Sequence, residues 1–270
     1  MNDPKVPVDD WTNEELTAYK INIQEKTEAE FFDVPVEDAI SPNISDAKVS
    51  NFLDHLHQAI QNVSTQPMEA QSITYNLIGN LLFSLGYTTP DVVVRTRETL
   101  WLRMCYEQVA IRADVTLVDS NSKLLLVVLA STLPRDVPSY PEAQIVAAAL
   151  AAFQLNNNQR QRGQLVDQLD MEHYPAIIMV GALPVFYKVK ITVDLNLGVQ
   201  LGKTPNFETI VERYTPVCLR EKASIGGLDM LSEEDKEKIL QCYKAFRRFV
   251  LPSSGSSINP PVLTKGRGTG

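Results

Sequence analysis

Residues 111–131, IRADVTLVDSNSKLLLVVLAS, decide the fold. In the first half Ala113, Val115 and Leu117 alternate with Asp114, Thr116 and Val118, the two-residue period of a strand with one buried face. Asp119-Ser-Asn-Ser supplies turn-forming side chains, and Leu124 to Ala130 then runs seven apolar residues without alternation. An unbroken apolar run suits a strand covered on both faces, so the stretch predicts a hairpin at the centre of a sheet with helices on either side. Asp114 puts a carboxylate into that predicted core strand.

On the amino-terminal side, Asp91 to Arg97 and Leu100 to Glu107 extend the hairpin into a meander of about four strands. Before them Pro67 to Leu85 carries Ile73, Leu77, Ile78, Leu81 and Leu82 at helical spacing and stops at Gly86. Asp46 opens another helix, with Val49, Phe52, Leu53, Leu56 and Ile60 on one side. Further back, Thr12-Asn-Glu-Glu15 has the form of a capping box and predicts one charged helix through about Phe32. On the carboxyl-terminal side, Pro141 stands at the first position of a long alanine-rich helix, with Glu142 in its first turn where it complements the helix dipole. Tyr174 to Val180 and Val185 to Asp194 predict a second hairpin, and Glu208 to Pro216 a further strand. Ser232-Glu-Glu-Asp235 caps a final helix with Ile239, Leu240, Tyr243, Phe246 and Val250. The expected class is α/β: a central mixed sheet flanked by helices at about 67–85, 141–160 and 232–250. The expected organisation is an amino-terminal extension with a charged helix over 1–45, one α/β domain over 46–251, and a Gly/Ser/Pro-rich disordered tail over 252–270.

The chain has 270 residues, 44% of them hydrophobic, enough for one elaborated domain with tails. Its net charge of −8 argues against a generally basic surface, and no dense basic stripe stands out. Three cysteines without CxxC or Cys/His spacing suggest neither a disulfide framework nor structural zinc, and a reducing compartment is expected. No leader pattern and no membrane-length apolar run occur, so the expected location is intracellular, cytoplasmic or nuclear, with no membrane partner. Walker, GxGxxG, GxSxG and HExxH signatures are missing, and His55, His57 and His173 lack the company that metal binding or nucleophilic catalysis requires.

The order of these pieces resembles the restriction-endonuclease-like core of the PD-(D/E)XK nuclease superfamily and, more closely, nuclease-like proteins of mushroom-forming fungi. The resembling text is LLFSLGY (81–87), VVVRTR (92–97), RADVTLVDSNSKLLLVV (112–128), PEAQIVAAALAAFQLNN (141–157), MVGALPVFYKVKIT (179–192) and ILQCYKAFRRFV (239–250). The resemblance implies that Asp114 is the first metal carboxylate of such a site, that a Glu and a Lys belong at 129 and 131, and that Gln144 is a family-like helix position. Leu129 and Ser131 stand there instead. Leucine cannot ligate a hard cation, and serine has no charge with which to position an attacking water.

The reading that follows is a catalytically degenerate nuclease-like domain that binds a partner, protein or nucleic acid, with Asp114, Glu142 and Gln144 as remnant positions. One alternative is an active magnesium-dependent nuclease whose second carboxylate has migrated to Glu142 or Glu69 beside Asp114. Another is an interaction or effector protein with no nucleic-acid role. Lys188 and Lys190, on one face of the second hairpin, are candidate phosphate contacts or a solvated sheet edge.

Overall fold

A computed structural model describes residues 11–33, 67–131, 142–163, 169–180, 183–216 and 233–251. In chain order the elements are α1 (Asn13–Ala18), β1 (Ile21–Glu25), α2 (Glu28–Phe32), α3 (Pro67–Ser84), β2 (Val92–Met104), β3 (Glu107–Asp119), β4 (Leu124–Ser131), α4 (Glu142–Gly163), β5 (Met171–Val180), β6 (Leu183–Thr192), α5 (Val193–Leu201), β7 (Thr209–Tyr214) and α6 (Glu233–Val250). The seven strands form one sheet in the order β1-β7-β6-β5-β4-β3-β2. β1 with β7 and β4 with β5 run parallel, and the remaining neighbours are antiparallel. The expected α/β architecture, a mixed sheet flanked by helices, is what the chain adopts.

Each face of the sheet carries its own core. On one face α2, α3 and α6 bring Phe31, Leu82 and Phe246 against Leu117, Leu126 and Ile177; on the other, α1, α4 and α5 bring Leu16, Leu150 and Leu195 against Val127, Ile178 and Val189. The unbroken apolar run of β4 follows from this double cover: Leu126 and Val128 face the first core, Val127 and Leu129 the second. α4 is apolar on every side because it touches β2 through β6 and α1, leaving no polar face over Ala143 to Phe153 apart from half-buried Gln144. Its alanines keep it close to the strands. α3 ends as its sequence predicts: Gly86, at φ 71°, closes a double turn in which Tyr87 N donates to Leu82 O and Gly86 N to Phe83 O.

Several expectations are corrected. The single charged helix through Phe32 is instead helix, strand and helix. Lys20, at φ 52°, ends α1, Ile21–Glu25 then pairs with β7, and a second capping box, Thr27 with Glu30, starts α2. Phe31 and Phe32 are fully buried, so residues 11–33 are built into the sheet and the cores rather than laid beside them. The two strands expected over 91–107 are one, because β2 runs unbroken for 13 residues. The hairpin arm expected to reach Asp194 stops at Thr192, whose side chain accepts from Leu195 N and caps α5, a helix the sequence reading did not anticipate. Strict alternation in β3 also fails: Ile111 and Ala113 lie in the second core, Val115 and Leu117 in the first. β2 changes cover at the same level, from Val92 and Val94 to Leu100 and Leu102, about Arg97 at φ 57°. The outer half of the β2–β3 ribbon thereby curls over α4. The helix expected from Asp46 and the tail over 252–270 lie outside the described residues, as do residues 217–232. Among the described residues no helix is long and apolar enough to cross a membrane.

Candidate functional site

β3 and β4 pair from Val118 to Val115, where Val115 faces Val128. Past that pair the strands part, and the next amide of β4 is taken by a side chain: Ala130 N donates to Asp114 Oδ2 at 2.8 Å. Asp114 is only 8% exposed, a burial that a carboxylate tolerates when it is hydrogen-bonded and near a cation. Arg112 Nε lies 4.0 Å from Asp114 Oδ1, and the Arg112 guanidinium also sits 5.9 Å from the centre of the Tyr75 ring. Tyr75 comes down from α3. Burial, the Asp114 charge and a hydrogen bond to that carboxylate hold its hydroxyl above the ordinary tyrosine value. The arrangement makes Asp114 a cap on a strand end, turned toward a tyrosine and an arginine.

The other positions of the family pattern do not gather there. Leu129 is 6% exposed and packed in the second core with the α4 residues. Glu142 opens α4, as its place in the sequence suggests, but accepts from Tyr187 Oη at 3.0 Å and Arg213 Nη1 at 2.6 Å. Those partners stand on β6 and β7, three and four strands from β3. Glu25 of β1 accepts from the same guanidinium through Arg213 Nε. Burial alone would lower the Arg213 pKa, but its hydrogen bonds to both carboxylates outweigh that and raise it. Glu142 thus belongs to a network joining α4 to the β1 edge of the sheet. Gln144, two residues along α4, is half-buried, and the side chains of Glu69 and Ser131 lie outside those described. Among the described residues no group of three or more His, Cys, Asp and Glu side chains could hold a metal ion.

Lys188 and Lys190 do share the face of Phe186, but Lys188 is turned into the protein. Its ammonium donates to Phe31 O, lies 3.6 Å from Glu212 and 3.8 Å from Asp33, and covers the Phe249 ring at 4.1 Å. Burial pulls its pKa below the ordinary lysine value against the opposing pull of Glu212 and Asp33. Lys190 is half-buried and stands opposite His173 in the β5–β6 ladder.

The sequence reading passed over the outer face of β2. Thr99, Trp101 and Arg103 are exposed there, and Arg97 at the change of cover, while Leu100 and Leu102 are buried behind; Arg95, before the change, lies on the other face with Glu98 and Thr116. The signal was legible in VVVRTRETLWLRM as alternation of charged or aromatic with apolar residues; splitting the segment into two strands hid it. Beside Arg103 the ribbon is fastened to α4 by one amide: Gln154 Oε1 accepts from Arg103 N at 2.7 Å and Gln154 Nε2 donates to Arg103 O at 3.1 Å. The hairpin tip is fastened to α5, Cys105 N donating to Val199 O and Tyr106 N to Gln200 O. Between ribbon, α4 and α5 lies a polar cleft of about 130 Å³ bordered by Trp101, Arg103, Asn157, Asn196 and Gln200. No protein-family model and no curated protein matches the chain.

Proposed function

We propose that the chain is a catalytically degenerate PD-(D/E)XK-type domain that acts by binding a partner. One observation carries the reading: the carboxylate of Asp114 serves as hydrogen-bond acceptor for the Ala130 amide, while position 129 turns a leucine into the core. A divalent ion held for phosphodiester cleavage needs at least two convergent oxygen donors with positive charge near the attacking water. Here Asp114 has an arginine and a tyrosine beside it, and Glu142 is engaged by Arg213 and Tyr187. The guanidinium of Arg112 disfavours a cation at the same place by like-charge repulsion.

The test is a cleavage assay on single- and double-stranded DNA and RNA with magnesium and with manganese, run beside calorimetric titration of manganese into the protein. The expected outcome is no cutting and no saturable manganese binding. Cutting that Asp114→Asn abolishes would establish an active enzyme and reject the proposal.

A further inference from the structure

We infer that the outer face of the β2–β3 ribbon from Arg97 onward is a track for single-stranded nucleic acid, with Arg97, Arg103 and Arg112 taking phosphates and Trp101 stacking a base at the mouth of the amide-lined cleft. This names the partner of the binding domain proposed above and rests on that reading. Although the chain carries a net charge of −8, this face gathers cations that the fold leaves available. Arg97 and Arg103 have no ion-pair partner among the described residues. Arg95, before the change of cover, lies on the opposite face, paired at 3.0 Å with Glu98, whose carboxylate also accepts from Thr116 Oγ1, and takes no part in the track. Arg112 stands opposite Thr99 in the ladder, so it projects on the same face as Trp101 and Arg103; its pair with Asp114, at 4.0 Å with 40% of the arginine side chain exposed, is weak and yields to phosphate. Side chains on one face of a strand recur every ~6.8 Å, comparable with the reach between phosphates of an extended single strand.

Arginines alone would accept any polyanion; Trp101 and the cleft narrow the choice. Trp101 is 44% exposed, an indole held at the surface by a strand whose next residues inward are buried, and a base can stack on it. In the cleft, Asn196 Oδ1 accepts from Gln154 Nε2 and Gln200 Nε2, which leaves Asn196 Nδ2 and Gln200 Oε1 without partners among the described residues. Asn157, also lining the cleft, uses its oxygen on Leu169 N, and its amide nitrogen has no partner among the described residues. Paired amide donors and acceptors match the hydrogen-bonding edge of a base. At about 130 Å³ the cleft is below the ~300 Å³ at which small-molecule pockets begin, so it admits one ring system and leaves a connected chain outside, along the arginines. A duplex would present neither a free base face to Trp101 nor a free edge to the amides.

The test uses the full chain with fluorescein-labelled oligo(dA), oligo(dT), oligo(rA) and a duplex of the same length, followed by anisotropy across a salt series, with uncut probe verified on gels. Expected are saturable binding to single strands, a log K against log salt slope of about −2 to −3 for the arginines involved, and an affinity loss of at least about fivefold for Trp101→Ala. A Trp11→Phe background leaves Trp101 as the only tryptophan, and its emission should be quenched on binding. No binding at low salt, equal affinity for the duplex, or displacement by heparin with no change in Trp101 emission would each overturn the track. Cutting of the probe with Trp101-dependent binding intact would reject catalytic degeneracy and leave the track standing; no cutting and no binding would do the reverse.

Discussion

Replacing Asp114 by alanine removes the acceptor of the Ala130 amide at the point where β3 and β4 separate. That amide is part of a half-buried strand end, and stranding it costs about 1–3 kcal/mol. The Arg112 contact adds little, because at 4.0 Å and 40% exposure of the arginine side chain it is a weak, solvent-screened pair. The net expectation is a loss of about 2 kcal/mol for Asp114→Ala. Asp114→Asn, which keeps a carbonyl oxygen for Ala130, should lose about half as much. Urea unfolding followed by far-ultraviolet circular dichroism measures both, with the midpoint falling and the slope unchanged. A parent-like midpoint for Asp114→Ala would refute the strand-capping role, and the case for catalytic retirement would lose its physical basis.

At Arg97, glycine should give a chain more stable than alanine by about 1 kcal/mol, because only glycine adopts the positive φ without penalty; equal melting temperatures would contradict that. Gly198→Ala should cost about 1–3 kcal/mol in urea unfolding, since a Cβ there would meet Lys203 O at 2.8 Å and Pro205 Cγ at 2.9 Å, and the former is backbone. Alkaline stability carries a definite sign. Burial, with hydrogen bonding to Cys105, pushes Tyr19 up to about 12, and burial likewise raises Tyr87, Tyr174, Tyr187, Tyr214 and Tyr243. Above about pH 10, the ordinary tyrosine value, the folded chain then holds more protons than the unfolded one. Stability present below that pH is lost as pH rises further. Absorbance titration of tyrosinate should accordingly show those groups ionising only together with unfolding.

Local pattern by itself determined the sheet centre, the long buried helix and the terminal helix. Seven apolar residues in a row from Leu124, short and led in by turn-forming Asp119-Ser-Asn-Ser, point to a strand covered on both faces, and an alanine-rich segment after Pro141 points to a closely packed helix. It also located Asp114 in a core strand, and the second capping box at Thr27 was there to be read. What tertiary structure alone decided is where each charge finds its partner. Glu142 is claimed by an arginine 71 residues away and Lys188 by a carbonyl 157 residues away, separations over which no periodicity carries information. The ribbon's change of cover at Arg97 was equally hidden, because it depends on α4 lying beneath its outer half. The same curl leaves Arg103 and Trp101 facing outward beside the amides of α4 and α5, on a surface assembled from segments up to about 100 residues apart. Hydrophobic burial follows from sequence period; the pairing of charges follows from which strands the fold makes neighbours.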